Sequence, residues 1–441
     1  MKKIIVVVAL ILVIGASIPF ASGLIMERTV RSAFQDMNTY FAANGADLSL
    51  EIISYDRSYL TSDIEWKVDL GALKAIYRID EVVFKDHAKH GLTGVVSTTS
   101  LEKNPWYTAF VDEKLQGRDP IHISTAYGLF GNIDTKIVSD AFSFIVENET
   151  IDVKSGSMAL ATDRKLKHFT STCSWQGLSA GEKFDIGDMS MASNLEMVST
   201  FIWDGDASFS VQNIKAQEKE NQFGIKGIKG KYLFDVADDQ TTMSWEALFS
   251  MESLDAKDIN VDDASVRFVT KGLNVKGYEE FMKLYAQNVS ELFGQMEALQ
   301  NDPETAKEIM DRQMAAMGFN MMAIYEKLLK AGLELQVADL AIKLPQGDIT
   351  GGLTLRLLKD MTFMQFAPIV TQPELLFDIV YLKSDFSLPA GLVGDNTKLQ
   401  EPVFPGMKTG LFVKNGDNLV HAAETADGKL MVNGEEVVLT Q

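Results

Sequence analysis

The sequence predicts an α+β fold dominated by a long, twisted and curled antiparallel β-sheet, with a packed helical hairpin and an N-terminal transmembrane helix. Three observations carry this. Ile4–Ile25, behind Lys2 and Lys3, holds no charge and reaches the length of about 20 residues that a helix needs to cross hydrocarbon. From residue 48 to 276, strand-like alternation follows strand-like alternation with one helical interruption, Trp106–Leu115, an order that favours an antiparallel meander over a parallel α/β sheet. The period then changes to that of a helix over 277–332 and back to that of a strand at Leu333.

The lysines before the apolar run place the N-terminus on the cytoplasmic side and the body beyond the membrane. Residues 1–25 read as an anchor or a signal segment. Ala16–Gly23 offers small residues at which a signal peptide could be cleaved, and Pro19 would end its apolar helix. The length of the run favours the uncleaved anchor. The sole cysteine, Cys173, lies in a strand-like stretch, so there is no lipid-attachment cysteine near the start and no internal disulfide.

The net charge of −20 excludes phosphate backbones as a natural partner. It also argues against the body docking on anionic lipid headgroups. Residues 26–47 read as an amphipathic helix, with Val30, Phe34, Met37 and Phe41 at helical spacing, closed by Asn44-Gly45. Within the β-rich region, Ile64, Trp66, Val68 and Leu70 alternate with Asp63, Glu65, Lys67 and Asp69, which gives a strand one dry and one wet face. In the hairpin over 277–332, Asn301-Asp302-Pro303 starts the second helix. Met310, Met314, Met317 and Met321, with Tyr325, stripe that helix and form the candidate apolar groove or interface, since methionine adapts to varied apolar partners. Residues 333–441 complete the same β-rich domain. Asp427-Gly428 and Asn433-Gly434 stand between short apolar runs, the strongest local signal for two-residue hairpin turns.

No catalytic constellation emerges. His87 and His90 have a helix-face spacing but lack a third ligand and lie in a loop-like stretch. His90-Gly91 reads as a turn. Gly224–Lys231 is glycine-rich and basic without the phosphate-loop order. Neither a nucleophile elbow nor a zinc helix occurs. The expectation is therefore no catalytic residue, no metal and no cofactor: a protein that is not an enzyme.

Several short elements carry a family resemblance. Tyr55 and Arg57 match a Y-x-R-G-x-x-S element behind the membrane segment, with Ser58 in place of the glycine and Ser62 one residue beyond the element's serine. His90-Gly91 matches an H-G-P element, with Leu92 for the proline. Phe201–Gly205, Val275–Tyr278 and the closing Asp427–Val437, including Asn433 and Gly434, match a mid-chain strand end, a strand-to-helix junction and the tail. The chain resembles the YdgA-like family of Gram-negative envelope proteins. The resemblance implies a single-pass inner-membrane protein with its body in the periplasm, and a homodimer; it implies no catalytic residues. Two functions follow: a scaffold or protein-interaction module of the envelope, or a carrier holding a lipid or other apolar ligand in the groove of the curled sheet.

Overall fold

The computed structural model describes residues 2–218, 221–257, 259–294, 322, 324–362, 364–365, 368–369, 372–395 and 406–437, with backbone alone for residues 2–16, 75–76, 218, 221, 289–294, 373 and 394–395. The fold is mostly antiparallel β-sheet with a few helices, and it divides into two compact units.

Unit 1 comprises Met1–Gly181, Ser190–Ile202 and Met282–Ala315. It opens with α1 (Lys2–Ala43), continuous across the residue 25–26 boundary at which the sequence suggests a change from anchor to amphipathic helix. There follow β1 (Ser49–Arg57), β2 (Thr61–Asp69), α2 (Lys74–Tyr77), β3 (Glu81–His90), β4 (Gly94–Ser100), α3 (Pro105–Leu115), β5 (Ile121–Gly128) and β6 (Ile133–Ser139). Next come β7 (Phe142–Val146), β8 (Glu149–Val153), β9 (Gly156–Thr162), β10 (His168–Trp175) and β11 (Leu178–Ala180). After β12 (Phe184–Ile186), which belongs to unit 2, β13 (Met189–Ser199) returns to unit 1. The spatial order is β1–β2–β3–β4–β5–β6–β9–β10–β13, every pair antiparallel where its register is defined, and β7, β8 and β11 pair among themselves.

Unit 2 comprises Glu182–Met189, Trp203–Phe281 and Ala316–Gln441. Its strands are β12, β14 (Ile202–Glu218), β15 (Asn221–Val236), β16 (Thr242–Met251), β17 (Ser253–Ala256), β18 (Ile259–Val261), β19 (Asp263–Asn274), β20 (Glu334–Leu344), β21 (Gly347–Leu357), β22 (Val380–Pro389), β23 (Val413–Asn415), β24 (Asn418–Ala426), β25 (Lys429–Val432) and β26 (Glu435–Val437). They pair mainly with sequence neighbours. The glycine-rich Gly224–Lys231 lies inside β15, which pairs with β17 along Phe223–Lys226 and with β16 along Lys229–Val236.

The expected curl of the sheet is corrected. The sheet is open, and β1 has a strand partner on one side only among the described residues. The strands divide into two main runs, one in each unit, and each is of a length at which open sheets do occur. The expected transmembrane helix is not shown: among the described residues no helix is long and apolar enough to cross a membrane. From Pro19 onward α1 spends one face on protein, with Pro19, Ser22, Gly23, Met26, Thr29 and Val30 buried. Of the helical hairpin, α4 (Val275–Gly294) is described, and so are helical residues near Tyr325. Met310, Met314, Met317, Met321 and the Asn301–Pro303 helix start lie outside the described residues. Tyr325 is half exposed.

Candidate functional site

The resemblance-bearing residues of the front half converge on one face of unit 1. The register decides this. Arg57 stands opposite Ser62 and Tyr55 opposite Ile64, Ser62 opposite Ala88, His90 opposite Val95, and Val95 opposite Tyr127. Because cross-strand partners share a face and every second residue returns to it, Tyr55, Arg57, Ser62, Asp86, His90, Ser97 and Tyr127 all point one way. That is the face covered by α1: Met26, Val30, Ile64, Ala88 and Val95 form one core cluster, with Phe34, Tyr55, Trp66 and Tyr127 packed against it.

At its centre Ser62, fully buried, lies 2.8 Å from His90 Nε2. His90 Nδ1 faces the Tyr59 carbonyl at 3.2 Å. A carbonyl only accepts, so Nδ1 carries the hydrogen, and Nε2 accepts from the Ser62 hydroxyl in the neutral ring. Gly23 sits directly on the imidazole: a Cβ there would lie 2.3 Å from its Cε1 carbon. The Ser22 hydroxyl hydrogen-bonds the Pro19 carbonyl at 2.9 Å and approaches the Gly91 carbonyl at 3.3 Å. Arg57 donates to Glu27 at 3.0 Å and lies 4.8 Å over the Phe20 ring. The motif residues thus grip α1 along two turns, from Phe20 to Glu27.

Deeper in, polar groups are short of partners. Asp86 Oδ2 accepts from Trp66 Nε1 at 3.2 Å, while its Oδ1 and the hydroxyls of Tyr55 and Ser97 are buried without a hydrogen bond of good geometry. Burial pushes the Asp86 carboxyl above the usual carboxylate range, against hydrogen bonds from Thr99 and Trp66 that lower it. Burial pushes the Tyr55 hydroxyl up to about 12. Tyr127 is raised for the same reason, with Asp86 and Tyr55 adding to it. A carboxyl raised on folding stabilises the fold below its ordinary pKa of 3.8, and that contribution is lost as pH rises through the folded value. Asp86→Asn removes the carboxylate charge that burial disfavours and therefore raises stability at pH 7 by about 1–3 kcal/mol. Its advantage over the wild type shrinks toward pH 4, as paired urea melts at the two pH values would register.

A second serine–histidine pair, with the same roles, stands in unit 2. Ser384 lies 2.7 Å from His421 Nε2, and His421 Nδ1 bonds the Leu411 carbonyl at 2.9 Å. Asn433 and Gly434 form the two-residue turn between β25 and β26, with φ +50 and +88. Asn433 Nδ2 donates to the carbonyls of Gly410 and Leu411 at 2.7 and 3.2 Å, and its Oδ1 accepts from Ala422 N–H at 2.8 Å. Turn and histidine together hold the Gly410–Leu411 segment. Asn433→Gly keeps the left-handed backbone and loses the side-chain bonds, at about 1 kcal/mol. Asn433→Ala adds the strain of about 1–2 kcal/mol that left-handed geometry imposes on a side chain. The expected melting order is wild type, then Gly, then Ala.

Neither pair presents a nucleophile. Ser62 has no exposed surface, Ser384 is buried, and both imidazoles are oriented by carbonyls, not carboxylates. The His87–His90 pair is also resolved. Both lie on β3, three residues apart, and so face opposite sides of the sheet; His87 is on the wet side, 2.8 Å from Asp63. The loop expected there is the strand itself, and only Gly91 belongs to the turn. Among the described residues no group of three His, Cys, Asp or Glu could hold a metal.

Sequence reasoning missed Ser22, Gly23, Glu27 and Asp86. A glycine and a serine inside an apolar helix, and a carboxylate on the dry face of β3, were the available signals. These features define a class: a β-rich protein whose N-terminal helix is locked to an antiparallel sheet by buried polar residues. The chain belongs to the family described as bacterial protein of unknown function (DUF945), whose model matches residues 1–440. No curated protein and no solved structure matches it.

Proposed function

We propose that the protein is a single-pass inner-membrane protein with its body in the periplasm, acting as a non-enzymatic scaffold or interaction module of the envelope. Its membership of a bacterial family is compatible with the YdgA-like resemblance. The observation that carries the proposal is the use made of Tyr55, Arg57, Ser62, His90 and Gly91. They close on α1 instead of lining a cavity. Chemistry spent on holding a helix fixes how the body is carried on that helix, which is of use to a module that must present a surface to a second copy or another envelope protein.

The same contacts favour an uncleaved leader. A mature N-terminus at Ser22 would lack Phe20 and leave the Arg57 guanidinium without its ring, and one at Leu24 would lack Ser22 and Gly23 as well. The carrier alternative has less support, because the described strands do not form the curled groove it requires. The hollow beside Phe34, Asn38, Leu50 and Ile52, about 860 Å³, is shallow and open to solvent, and the one lined by Leu48, Leu73, Phe201, Met282 and Tyr285, about 320 Å³, is at the small end for a ligand pocket.

Fractionation of cells producing the full chain, followed by alkaline extraction and N-terminal sequencing, tests the proposal. The protein sediments with the inner membrane, resists alkaline extraction and keeps residues 1–25. Folded product in the cytosol, or a mature N-terminus near Ser22 or Leu24, contradicts it.

A further inference from the structure

The turns of unit 1 that surround the point where α1 leaves the sheet share an unusual surface. In an antiparallel meander, alternate turns fall at the same end. The turns β1–β2, β3–β4 and β5–β6 therefore lie together, with β9–β10 beside them, since Ile133 pairs with Thr162. Contacts with α1 fix that end as the one from which its N-terminal part emerges. The Phe20 and Tyr59 rings stack at 6.4 Å, Ser22 approaches the Gly91 carbonyl, and Met26 shares a hollow with Leu129 and Gly131. At the other end, Asn38 bonds both backbone groups of Leu50, at the start of β1.

The tips of these turns are apolar and bare. Phe130 is fully exposed, Leu92 is 61% exposed and Leu60 is 55% exposed, with Phe20 beside them at 46%. The neighbouring turn, Asp163–Lys167, is basic. Arg164, Lys165 and Lys167 are exposed, while Asp163 is occupied inside the turn, accepting from the Lys165 and Lys167 N–H groups. In a chain of net charge −20, a cationic turn behind a ring of exposed apolar side chains is a local reversal of the average. The spacing along α1 agrees. Residues 4–20 make about 25 Å of helix, close to the hydrocarbon thickness of about 30 Å, so Phe20 falls at the interface.

We infer that this end of unit 1 is a bilayer-contacting collar: Leu60, Leu92 and Phe130 enter the outer edge of the hydrocarbon, and Arg164, Lys165 and Lys167 meet anionic phospholipid headgroups. The inference rests on the anchored reading of α1. It replaces, for this end alone, the expectation from net charge that the body avoids anionic lipid. Locked by His90 and Gly23 and seated on the membrane by its turns, the unit would stand upright on the bilayer instead of swinging on a tether.

The test is nitroxide depth measurement on the full chain, carrying Cys173→Ser, reconstituted in vesicles. Labels are placed singly at Phe130→Cys, Leu92→Cys, Val8→Cys and, at the other end, Tyr77→Cys. Vesicles are phosphatidylcholine alone or phosphatidylcholine with phosphatidylglycerol. The labels at 92 and 130 give an oxygen-to-nickel collision ratio several-fold above that at 77, higher still with phosphatidylglycerol. Replacing Arg164, Lys165 and Lys167 by glutamine removes the phosphatidylglycerol increment. Labels at 92 and 130 as aqueous as that at 77, with position 8 in hydrocarbon, overturn the collar and leave the anchor standing. Position 8 in water overturns both. Unchanged ratios between the two lipids refute the headgroup contact.

Discussion

Gly23→Val forces α1 away from the sheet. The added Cβ would lie 2.3 Å from His90 Cε1 and 2.5 Å from its Nδ1, and the ring cannot yield, because Ser62 and the Tyr59 carbonyl hold both nitrogens. Either the helix shifts outward, uncovering Met26 and Val30, or the imidazole breaks both bonds. Overpacking of this kind costs about 3 kcal/mol. The loss should be local as well as global: residues near Phe20–Glu27 become susceptible to limited proteolysis at temperatures where the wild type resists. Gly224→Ala is the control, since a Cβ at Gly224 meets nothing within 4 Å, and it leaves the melting temperature within about 1 °C. A valine at 23 that melts like the wild type would mean that helix and imidazole are not in contact.

His90→Ala attacks the same lock from the sheet side. It empties the space under Gly23 and strands the buried Ser62 hydroxyl and the Tyr59 carbonyl. Truncation of a large buried side chain, with polar groups left unpaired, costs about 4 kcal/mol. Ser62→Ala alone leaves Nε2 unpaired in a site where Ser62 has no exposed surface, at about 1–3 kcal/mol. The double variant should cost less than the sum, because once the ring is gone the Ser62–Nε2 bond is already lost. Strict additivity in the melts would show that the two side chains act independently, contrary to the lock. An active enzyme whose turnover vanished in Ser62→Ala without loss of stability would go further and assign these residues to chemistry.

Much of the fold was legible because period-two patterning survives wherever one face is dry. His168–Trp175 and Phe142–Val146 emerge with the bounds the alternation suggests, and the Asp427-Gly428 and Asn433-Gly434 turns close the hairpins expected of them. β8 escaped, since Glu149–Val153 is a short strand holding a single fully apolar pair, Ile151 and Val153. The curl could not be read, because strand count says nothing about how strands divide between compact units. The site was half legible. Tyr55, Arg57, Ser62 and His90 were visible as a resemblance, yet their common face depends on the registers of β1 with β2 and β2 with β3, which no single strand reveals. The helix that covers them looked purely apolar, so Ser22 and Gly23 read as cleavage-site residues, where they are contact residues. Asp86 and His90 break the dry-face pattern of β3, and a polar residue in a dry row is the mark that deserved weight.

The central claim is that α1 from about Phe20 to Phe34 is a fixed part of unit 1. Hydrogen–deuterium exchange on the full chain in detergent or lipid addresses it without any substitution. The account predicts that the amides of Met26–Phe34 exchange as slowly as those of Ile64–Trp66 in β2, because both open only when the shared core around Met26, Ile64 and Val95 opens. Exchange of those helical amides orders of magnitude faster than the β2 amides, at the rate of a helix that frays on its own, would contradict it.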